Sequence, residues 1–110
     1  MPVTKLLVAN RGEIACRIIR TCREMDIPTV AVFSDSDRSA MHVRLAVDSY
    51  PIGPTPSRES YMRVDNLIEA ARLAGADAVH PGYGCISEDP EAARKIQEAG
   101  LTWVGPTPET

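Results

Sequence analysis

Residues that could contact a ligand follow two apolar segments of strand length. The first segment, Lys5–Ala9, stops at the polar turn Asn10-Arg11-Gly12-Glu13, and helical periodicity of apolar residues begins directly behind this turn. A strand, a short turn and a helix are the opening of a βαβ unit, so the helix N-terminus is aimed at whatever lies beyond the carboxyl end of the strand. The four turn residues are therefore the first candidate site.

The second candidate site follows the apolar segment Ala76–His80. Here Pro81-Gly82-Tyr83-Gly84 combines a proline turn with two glycines, which let the backbone pass close to a ligand or another domain. Tyr83 places an aromatic face at the carboxyl edge of the sheet, where open α/β folds bind ligands. From these residues alone a tight turn with a packed tyrosine is the simpler interpretation, and a ligand site at Tyr83 and Gly84 is the alternative.

Two further sets of polar residues invite a chemical role. Asp35 and Asp37 lie roughly twenty residues beyond Gly12, as a ribose-binding acid does in dinucleotide-binding folds, but that fingerprint also needs a three-glycine loop. We therefore do not predict NAD binding, and we expect the two aspartates to cap a turn or the next helix. His80 could act as a general base, but no positioned partner is visible, so we expect a hydrogen-bonded structural histidine.

The three cysteines, Cys16, Cys22 and Cys85, form no C-x-x-C pair. An odd number in a chain without a secretory signal indicates a reducing compartment. Cys16 and Cys22 are predicted to pack as small apolar helix residues. We expect the same of Cys85, although it lies in a glycine-rich loop, because a catalytic thiol needs a base that the sequence does not place. No catalytic residue and no metal site are predicted.

The elements that position these residues alternate between strand and helix. The strand candidates are Lys5–Ala9, Thr29–Phe33, Val47–Ile52, Ala76–His80 and Thr102–Val104. Short, nearly continuous apolar runs are typical of parallel strands covered on both faces. Helices between them imply right-handed crossovers. The predicted fold class is therefore α/β: a Rossmann-like three-layer domain with a parallel sheet.

The predicted helices are amphipathic. Their expected core residues are Ile14, Ile18, Cys22 and Met25 in the first helix, Leu67, Ala71 and Ala74 in a helix near 66–74, and Ala92, Ile96 and Ala99 in the last. Gly100 is expected to close the last helix. Asp89 before Pro90 is its predicted N-cap, with Ser87 as a competing cap.

A separate stripe of the first helix is charged and carries Arg17, Arg20 and Glu24. Taken by itself, such a stripe is most simply a solvated face, on which exposed ion pairs contribute about 0–1 kcal/mol each.

Composition narrows the functional classes. The 110 residues are 44% hydrophobic and 25% charged, which is typical of one globular domain. A net charge of −3 argues against a nucleic-acid partner, which requires a basic surface. No apolar run approaches the roughly 18 residues of a membrane span, and the N-terminus has no secretory pattern, so neither a membrane partner nor secretion is expected.

Several motifs together resemble one family. The segment Ala9-Asn10-Arg11-Gly12-Glu13-Ile14-Ala15 is similar to the opening of the biotin carboxylase family, the ATP-dependent component of acetyl-CoA, propionyl-CoA, methylcrotonyl-CoA and pyruvate carboxylases. His80-Pro81-Gly82-Tyr83-Gly84, followed by Ser87-Glu88, resembles the family pattern after the fourth strand. Tyr50-Pro51-Ile52-Gly53-Pro54, Ser60-Tyr61 and Trp103-Val104-Gly105-Pro106 follow in family order. Cys85-Ile86 departs from the usual Phe-Leu.

The resemblance implies that residues 1–110 are the N-terminal, pre-ATP-grasp domain of a biotin carboxylase, without the ATP-grasp and C-terminal domains. Such enzymes use ATP with Mg²⁺ or Mn²⁺ to activate bicarbonate as carboxyphosphate, and carboxylate biotin attached to a carrier protein. The family's ATP-contacting and metal-binding residues correspond to positions beyond residue 110. The isolated chain is therefore expected to bind no cofactor and to be catalytically inert. Tyr83 and Gly84 match residues near the biotin pocket and are expected to shape it.

The resemblance also implies partners: the remaining biotin carboxylase domains, the biotin carboxyl carrier protein and the carboxyltransferase. In bacterial members the helix matching Arg17, Arg20 and Glu24 lies at a two-fold dimer interface, so a homodimer is an expectation. The expected compartment is the cytoplasm, or the mitochondrial matrix if a transit peptide is removed. Two alternatives stay open: the N-terminal domain of another ATP-grasp ligase, and a free-standing dimerisation or docking module.

Overall fold

The computed structural model describes residues 3–84, 86–87 and 89–105. Within these residues the chain forms the strands β1 (Leu6–Val8), β2 (Thr29–Ser34), β3 (Asp48–Gly53), β4 (Ala78–His80) and β5 (Thr102–Trp103). The helices are α1 (Gly12–Glu24), α2 (Met41–Leu45), α3 (Val64–Ala74) and α4 (Pro90–Glu98), with 3₁₀ turns at Asp35–Asp37 and Ser57–Glu59.

The strands form one parallel sheet in the order β3-β2-β1-β4-β5. Leu7 in the central strand pairs with Val30 on one side and Val79 on the other. The predicted parallel sheet is confirmed, and each predicted strand has its counterpart, with bounds that differ by no more than two residues. β1 and β2 are buried at every position, as the continuous apolar runs indicate.

Helices cover both faces of the sheet, which confirms the predicted three-layer architecture. On one face α3 and α4 pack on the larger apolar core, represented by Leu7, Leu67 and Ile96. On the other face α1 packs through Ala15 and Ile19 on a second apolar cluster. Cys16 and Cys22 are buried, so the prediction that they pack as apolar residues is confirmed. Cys85 lies outside the described residues.

The predicted core stripe of α1 is partly wrong. The buried residues of this helix are Ala15, Cys16, Ile19 and Cys22, whereas Ile14 and Ile18 are only half-buried and Met25 is 63% exposed. Ile14 and Ile18 border an open groove beside the sheet, so one edge of the apolar surface of the helix is left uncovered. Met25 is the C-cap residue that follows the last turn of α1.

The two ends of helix α4 agree with the predicted capping residues better than its predicted core residue Ala99 does. Asp89 is the N-cap of α4, because its Oδ1 accepts hydrogen bonds from the backbone N–H groups of Glu91 and Ala92, at 3.0 and 3.4 Å. The competing cap, Ser87, is therefore excluded. Ala99 is exposed, contrary to the prediction, because α4 ends at Glu98 and Gly100 turns the chain with a φ of +88°.

Of the remaining predicted core residues of α3 and α4, all but Ala74 are buried. Leu67, Ala71, Ala92 and Ile96 are buried as predicted. Ala74 is half-buried at the margin of the larger core, since it is the last residue of α3.

Candidate functional site

The sheet order places a topological switch point, and so a candidate ligand site, between β1 and β4. From the central β1 the chain runs outward through β2 and β3 on one side, and later through β4 and β5 on the other. The turns that follow β1 and β4 therefore diverge at the carboxyl edge, and ligands of open α/β sheets bind at such a switch point. Both motifs singled out in the sequence lie in these two turns.

Asn10 joins the two turns through a buried side chain. Its Nδ2 donates to the carbonyl oxygens of Pro81 at 2.8 Å and Tyr83 at 2.6 Å. Its Oδ1 accepts a hydrogen bond from the backbone N–H of Arg11 at 2.8 Å. The structure thus brings Asn10 and Tyr83 together, although 73 residues separate them in the chain.

Gly82 lets the second turn lie against the first. Its φ is +66°, in the left-handed region that favours glycine. A Cβ at this position would lie 2.7 Å from Asn10 Nδ2 and 2.9 Å from Ile14 Cγ2. Any side chain here would therefore have to displace the amide that binds the Pro81 and Tyr83 carbonyls.

An open groove of about 900 Å³ runs beside the joined turns. Its walls include the apolar side chains of Ile14, Ile18 and Val104, together with His80, Tyr83 and Gly84. Tyr83 is 79% exposed, so its ring is not packed into the turn and presents an aromatic face at the rim. A second groove of about 450 Å³ shares Arg17, Ile18, His80 and Val104 with the first.

His80 lies at the end of β4 with one ring nitrogen engaged. Its Nδ1 accepts a hydrogen bond from the backbone N–H of Gly82 at 3.0 Å. Burial lowers the pKa of His80, which favours the neutral ring. A neutral ring that accepts at Nδ1 carries its proton on Nε2 and offers a donor there, not a base. The expected hydrogen-bonded structural histidine is confirmed in this respect.

A buried carboxylate anchors Arg11 on the other side of the turn. Asp37 accepts two hydrogen bonds from the Arg11 guanidinium, at 2.6 Å from Nε and 2.9 Å from Nη2, and a third from Tyr61 Oη at 2.6 Å. Arg11 and Tyr61 hold the pKa of Asp37 well below its usual range, against the opposing effect of burial. Arg11, in turn, has a raised pKa because of Asp37.

The prediction that Asp37 caps a turn or the next helix is wrong. Asp37 ends the 3₁₀ turn after β2, and its side chain points to Arg11 and Tyr61. Tyr61 is fully buried, and its Oη also accepts a hydrogen bond from the Ser34 N–H at 3.1 Å. Burial, followed by the hydrogen bond to Asp37, raises the pKa of Tyr61 to about 12. Sequence analysis missed this network, for which the only local signal was an acid following a strand.

The remaining turn residues contribute backbone geometry. Gly12 begins α1 with a φ of +65°, and Glu13 lies in its first turn, where an acid favours the helix N-terminus. Gly84 also has a positive φ, +65°, and its carbonyl oxygen accepts a hydrogen bond from the Ser87 N–H at 2.9 Å.

The charged stripe of α1 meets the grooves at one residue: Arg17 lines both of them, whereas Arg20 and Glu24 line neither. Arg17, Arg20 and Glu24 are all exposed, as a solvated face or an interface requires. Arg23, by contrast, is used within the fold, because its Nη2 donates to the Leu45 carbonyl oxygen at 2.6 Å and ties α1 to α2.

Two properties of the described part of the chain bear on metals and membranes. Among residues 3–84, 86–87 and 89–105, no group of three or more His, Cys, Asp or Glu side chains is placed to hold a metal ion. No helix in these same ranges has the length and apolar character needed to cross a bilayer.

Fold and site together define a parallel α/β domain that presents a groove at the β1–β4 switch point. Residues 2–110 match the family described as biotin carboxylase, N-terminal domain, and the chain belongs to this family. The resemblance of the turn motifs is thereby confirmed.

Known relatives agree with this assignment. The chain is 54% identical over 106 residues to the mitochondrial methylcrotonoyl-CoA carboxylase subunit alpha of Oryza sativa, covering 96% of the chain and 14% of the relative. It is 50% identical over 105 residues to biotin carboxylase 1 of Bacillus subtilis, covering 96% of the chain and 23% of the relative.

A solved structure gives the same fold. The biotin carboxylase domain dimer of Hydrogenobacter thermophilus 2-oxoglutarate carboxylase, in complex with MgADP, ADP and bicarbonate, superposes with a TM-score of 0.92 at 42% identity. The alignment covers 99% of this chain and 24% of that one. The chain therefore spans less than a quarter of each of these three proteins.

Proposed function

We propose that this chain works within an ATP-dependent ligase that carboxylates biotin with bicarbonate, where it forms one wall of the biotin site. The observation that carries the proposal is the Asn10 bridge, which joins the β1 and β4 turns and presents Tyr83 and Gly84 at the rim of the groove. Membership of the biotin carboxylase N-terminal domain family supports it.

The chemistry is divided between this domain and the rest of the enzyme. Transfer of the γ-phosphoryl group of ATP to bicarbonate gives carboxyphosphate and ADP, and carboxyphosphate breaks down to carbon dioxide and phosphate. The ureido nitrogen of biotin then attacks carbon dioxide and loses its proton to the released phosphate. We assign ATP and its Mg²⁺ or Mn²⁺ to the other domains, because this chain matches only the N-terminal domain of a biotin carboxylase. The MgADP and bicarbonate in the Hydrogenobacter thermophilus structure support such a division, because that chain is about four times longer. On its own, this chain is expected to be inert.

The groove suits biotin as a substrate. Biotin is a compact bicycle with an apolar edge and a polar ureido group. The exposed Tyr83 ring and the apolar side chains of Ile14 and Ile18 offer surface to the apolar edge. Gly84 adds no side chain, and the Nε2–H of His80 adds a donor. In this proposal Tyr83 and Gly84 shape the groove and orient biotin in it, and neither residue acts as an acid or a base.

The exposed stripe of Arg17, Arg20 and Glu24 fits a symmetric dimer. Opposite charges on one face are self-complementary across a two-fold axis, so each arginine can meet the partner's glutamate. The dimeric biotin carboxylase domain of Hydrogenobacter thermophilus supports this assignment. Further partners are the remaining biotin carboxylase domains, the biotin carrier protein and the carboxyltransferase. Bacterial and mitochondrial relatives support a cytoplasmic or matrix location.

A domain replacement tests the proposal. This chain is substituted for the matching 105 residues of Bacillus subtilis biotin carboxylase 1, and phosphate release is measured with ATP, Mg²⁺, bicarbonate and free biotin. We expect biotin-stimulated phosphate release from the chimera and none from the chain alone. A folded chimera that cleaves no ATP with bicarbonate and biotin, or a chain that turns over by itself, contradicts the proposal.

A further inference from the structure

One buried amide sets the position of the rim that we assign to biotin. We propose that Asn10 is a positioning residue for biotin capture, acting through the Tyr83 and Gly84 backbone without touching the substrate. The inference rests on the proposed function, because it requires that biotin contacts this rim. It goes beyond the bridge itself by giving the side chain of Asn10 a measurable part in biotin capture.

The hydrogen bonds of Asn10 select a carboxamide of this length. The NH₂ group donates to two carbonyl oxygens, those of Pro81 and Tyr83, while Oδ1 accepts from the Arg11 N–H. Only asparagine and glutamine combine two side-chain donors on one nitrogen with an acceptor oxygen, and glutamine is one methylene longer. Aspartate has the same shape but would set an acceptor oxygen against two carbonyl oxygens. Asn10→Asp therefore removes the bridge with minimal change of volume.

The rim depends on this bridge because it projects from the fold. Tyr83 and Gly84 are exposed, so packing of their own atoms does little to hold them. The Tyr83 carbonyl oxygen is bound directly by Asn10, and the Cβ that Gly82 lacks would lie 2.7 Å from the same Nδ2 atom. The position of the Tyr83 ring over the groove is therefore tied to the orientation of the Asn10 amide.

The Asn10 bridge is connected through Arg11 to the buried carboxylate of Asp37. Asn10 Oδ1 accepts the N–H of Arg11, and the Arg11 side chain forms its paired hydrogen bonds with the buried carboxylate of Asp37. Asp37 ends the turn after β2, so the turns after three neighbouring strands are connected in series. The amide thus connects an anchored turn to an exposed one, as a positioning group must.

The chain supplies a matched control in Asn66. Its Nδ2 also donates to a backbone carbonyl oxygen, that of Ile52, at 2.8 Å. This contact lies beside the edge strand β3, on the opposite side of β1 from the groove. Asn66→Asp therefore repeats the same chemical change at a site that does not touch the rim.

The test compares Asn10→Asp with Asn66→Asp in the Bacillus subtilis chimera, using free biotin as the probe. For Asn10→Asp we expect the KM for biotin to rise about tenfold or more, since small misplacements at a site are costly. Bicarbonate-dependent ATP cleavage without biotin should stay within about twofold, because that step precedes capture. Asn66→Asp should leave both constants within about twofold. If the role of Asn10 were purely structural, Asn10→Asp would instead lower bicarbonate-dependent ATP cleavage to the same extent with and without biotin.

An unchanged KM for biotin in an active Asn10→Asp chimera overturns the inference and leaves the proposed function standing. A chimera that fails before any substitution contradicts the proposed function, and with it the role of Asn10 in biotin capture. The bridge by which Asn10 positions the rim is tested separately in the chain itself. There, amide hydrogen exchange at Gly82 should be faster in Asn10→Asp than in Asn66→Asp. Equal exchange in the two variants overturns the inference.

Discussion

Removing the Tyr61 hydroxyl tests the buried network behind the β1 turn. In Tyr61→Phe, Asp37 loses a donor at 2.6 Å, and the buried Ser34 N–H loses its acceptor at 3.1 Å. The aromatic ring remains, so apolar packing of this fully buried side chain is preserved. Asp37 also keeps its two hydrogen bonds from Arg11, which prevents an isolated buried charge.

The expected cost follows from the two lost contacts. A hydrogen bond to a charged group contributes roughly 1.5–3 kcal/mol, and an unsatisfied buried N–H costs roughly 1–3 kcal/mol. Some of the second cost is recovered if water reaches Ser34. We therefore expect Tyr61→Phe to lower the free energy of unfolding by about 2–4 kcal/mol.

Urea unfolding of the chain, followed by the fluorescence of its single tryptophan, measures this free energy. Trp103 is buried at the edge strand β5, so its emission reports the loss of the core. Tyr50→Phe is the matched control, because Tyr50 Oη donates to the Leu73 carbonyl oxygen at only 3.5 Å in an exposed contact. It should change the free energy of unfolding by less than about 0.5 kcal/mol. Equal effects of the two substitutions would refute the argument that the Tyr61 hydroxyl is a buried structural donor.

Three further predictions follow from the same contacts. The pKa of Asp37 is lower in the folded than in the unfolded chain, so its contribution to stability is complete above the unfolded value of about 4 and is lost as the pH falls below it. Urea midpoints from pH 6 to pH 2 should therefore fall less steeply in Asp37→Asn than in the unsubstituted chain. Parallel curves for the two proteins would contradict this. Gly82→Ala in the chimera should raise the KM for biotin, because the added Cβ meets Asn10 and Ile14. The control Gly75→Ala, at a φ of +72° with no atom within 4 Å of its Cβ, should lower stability only. The same KM for both variants would show that the contact with Asn10 is unimportant. Arg20→Glu should weaken a dimer of the chimera, as measured by analytical ultracentrifugation. The control Arg58→Glu, at an exposed position outside α1, should not weaken it. A dimer unaffected by Arg20→Glu would remove the α1 stripe as its cause.

Local signals in the sequence account for much of the fold. Continuous apolar runs located β1 and β2, and Asp89 before Pro90 located the start of α4, because strand burial and helix capping depend on neighbouring residues. The five-residue α2 was missed, since a helix of that length shows no periodicity. Ile14 and Ile18 were misplaced because periodicity reports an apolar face but not which part of it the sheet covers.

The contacts that assemble the site are not local. Asn10 and Tyr83 are singled out by their turns, but the hydrogen bond between them spans 73 residues and depends on the sheet order. Asp37 shows the same limit, because Arg11 and Tyr61 lie 26 and 24 residues away along the chain. Composition and spacing indicate which residues are polar at a strand end; only the tertiary fold determines which of them meet.

Transfer of labelled bicarbonate to biotin tests the central claim most directly. The Bacillus subtilis chimera that carries this chain is incubated with ATP, Mg²⁺, free biotin and labelled bicarbonate, and carboxybiotin is quantified beside the same enzyme lacking its N-terminal domain. The proposed function predicts ATP-dependent label in biotin for the chimera and none for the truncated enzyme. Absence of label from a folded chimera, or equal label from the truncated enzyme, would contradict the claim that this domain forms part of the biotin site.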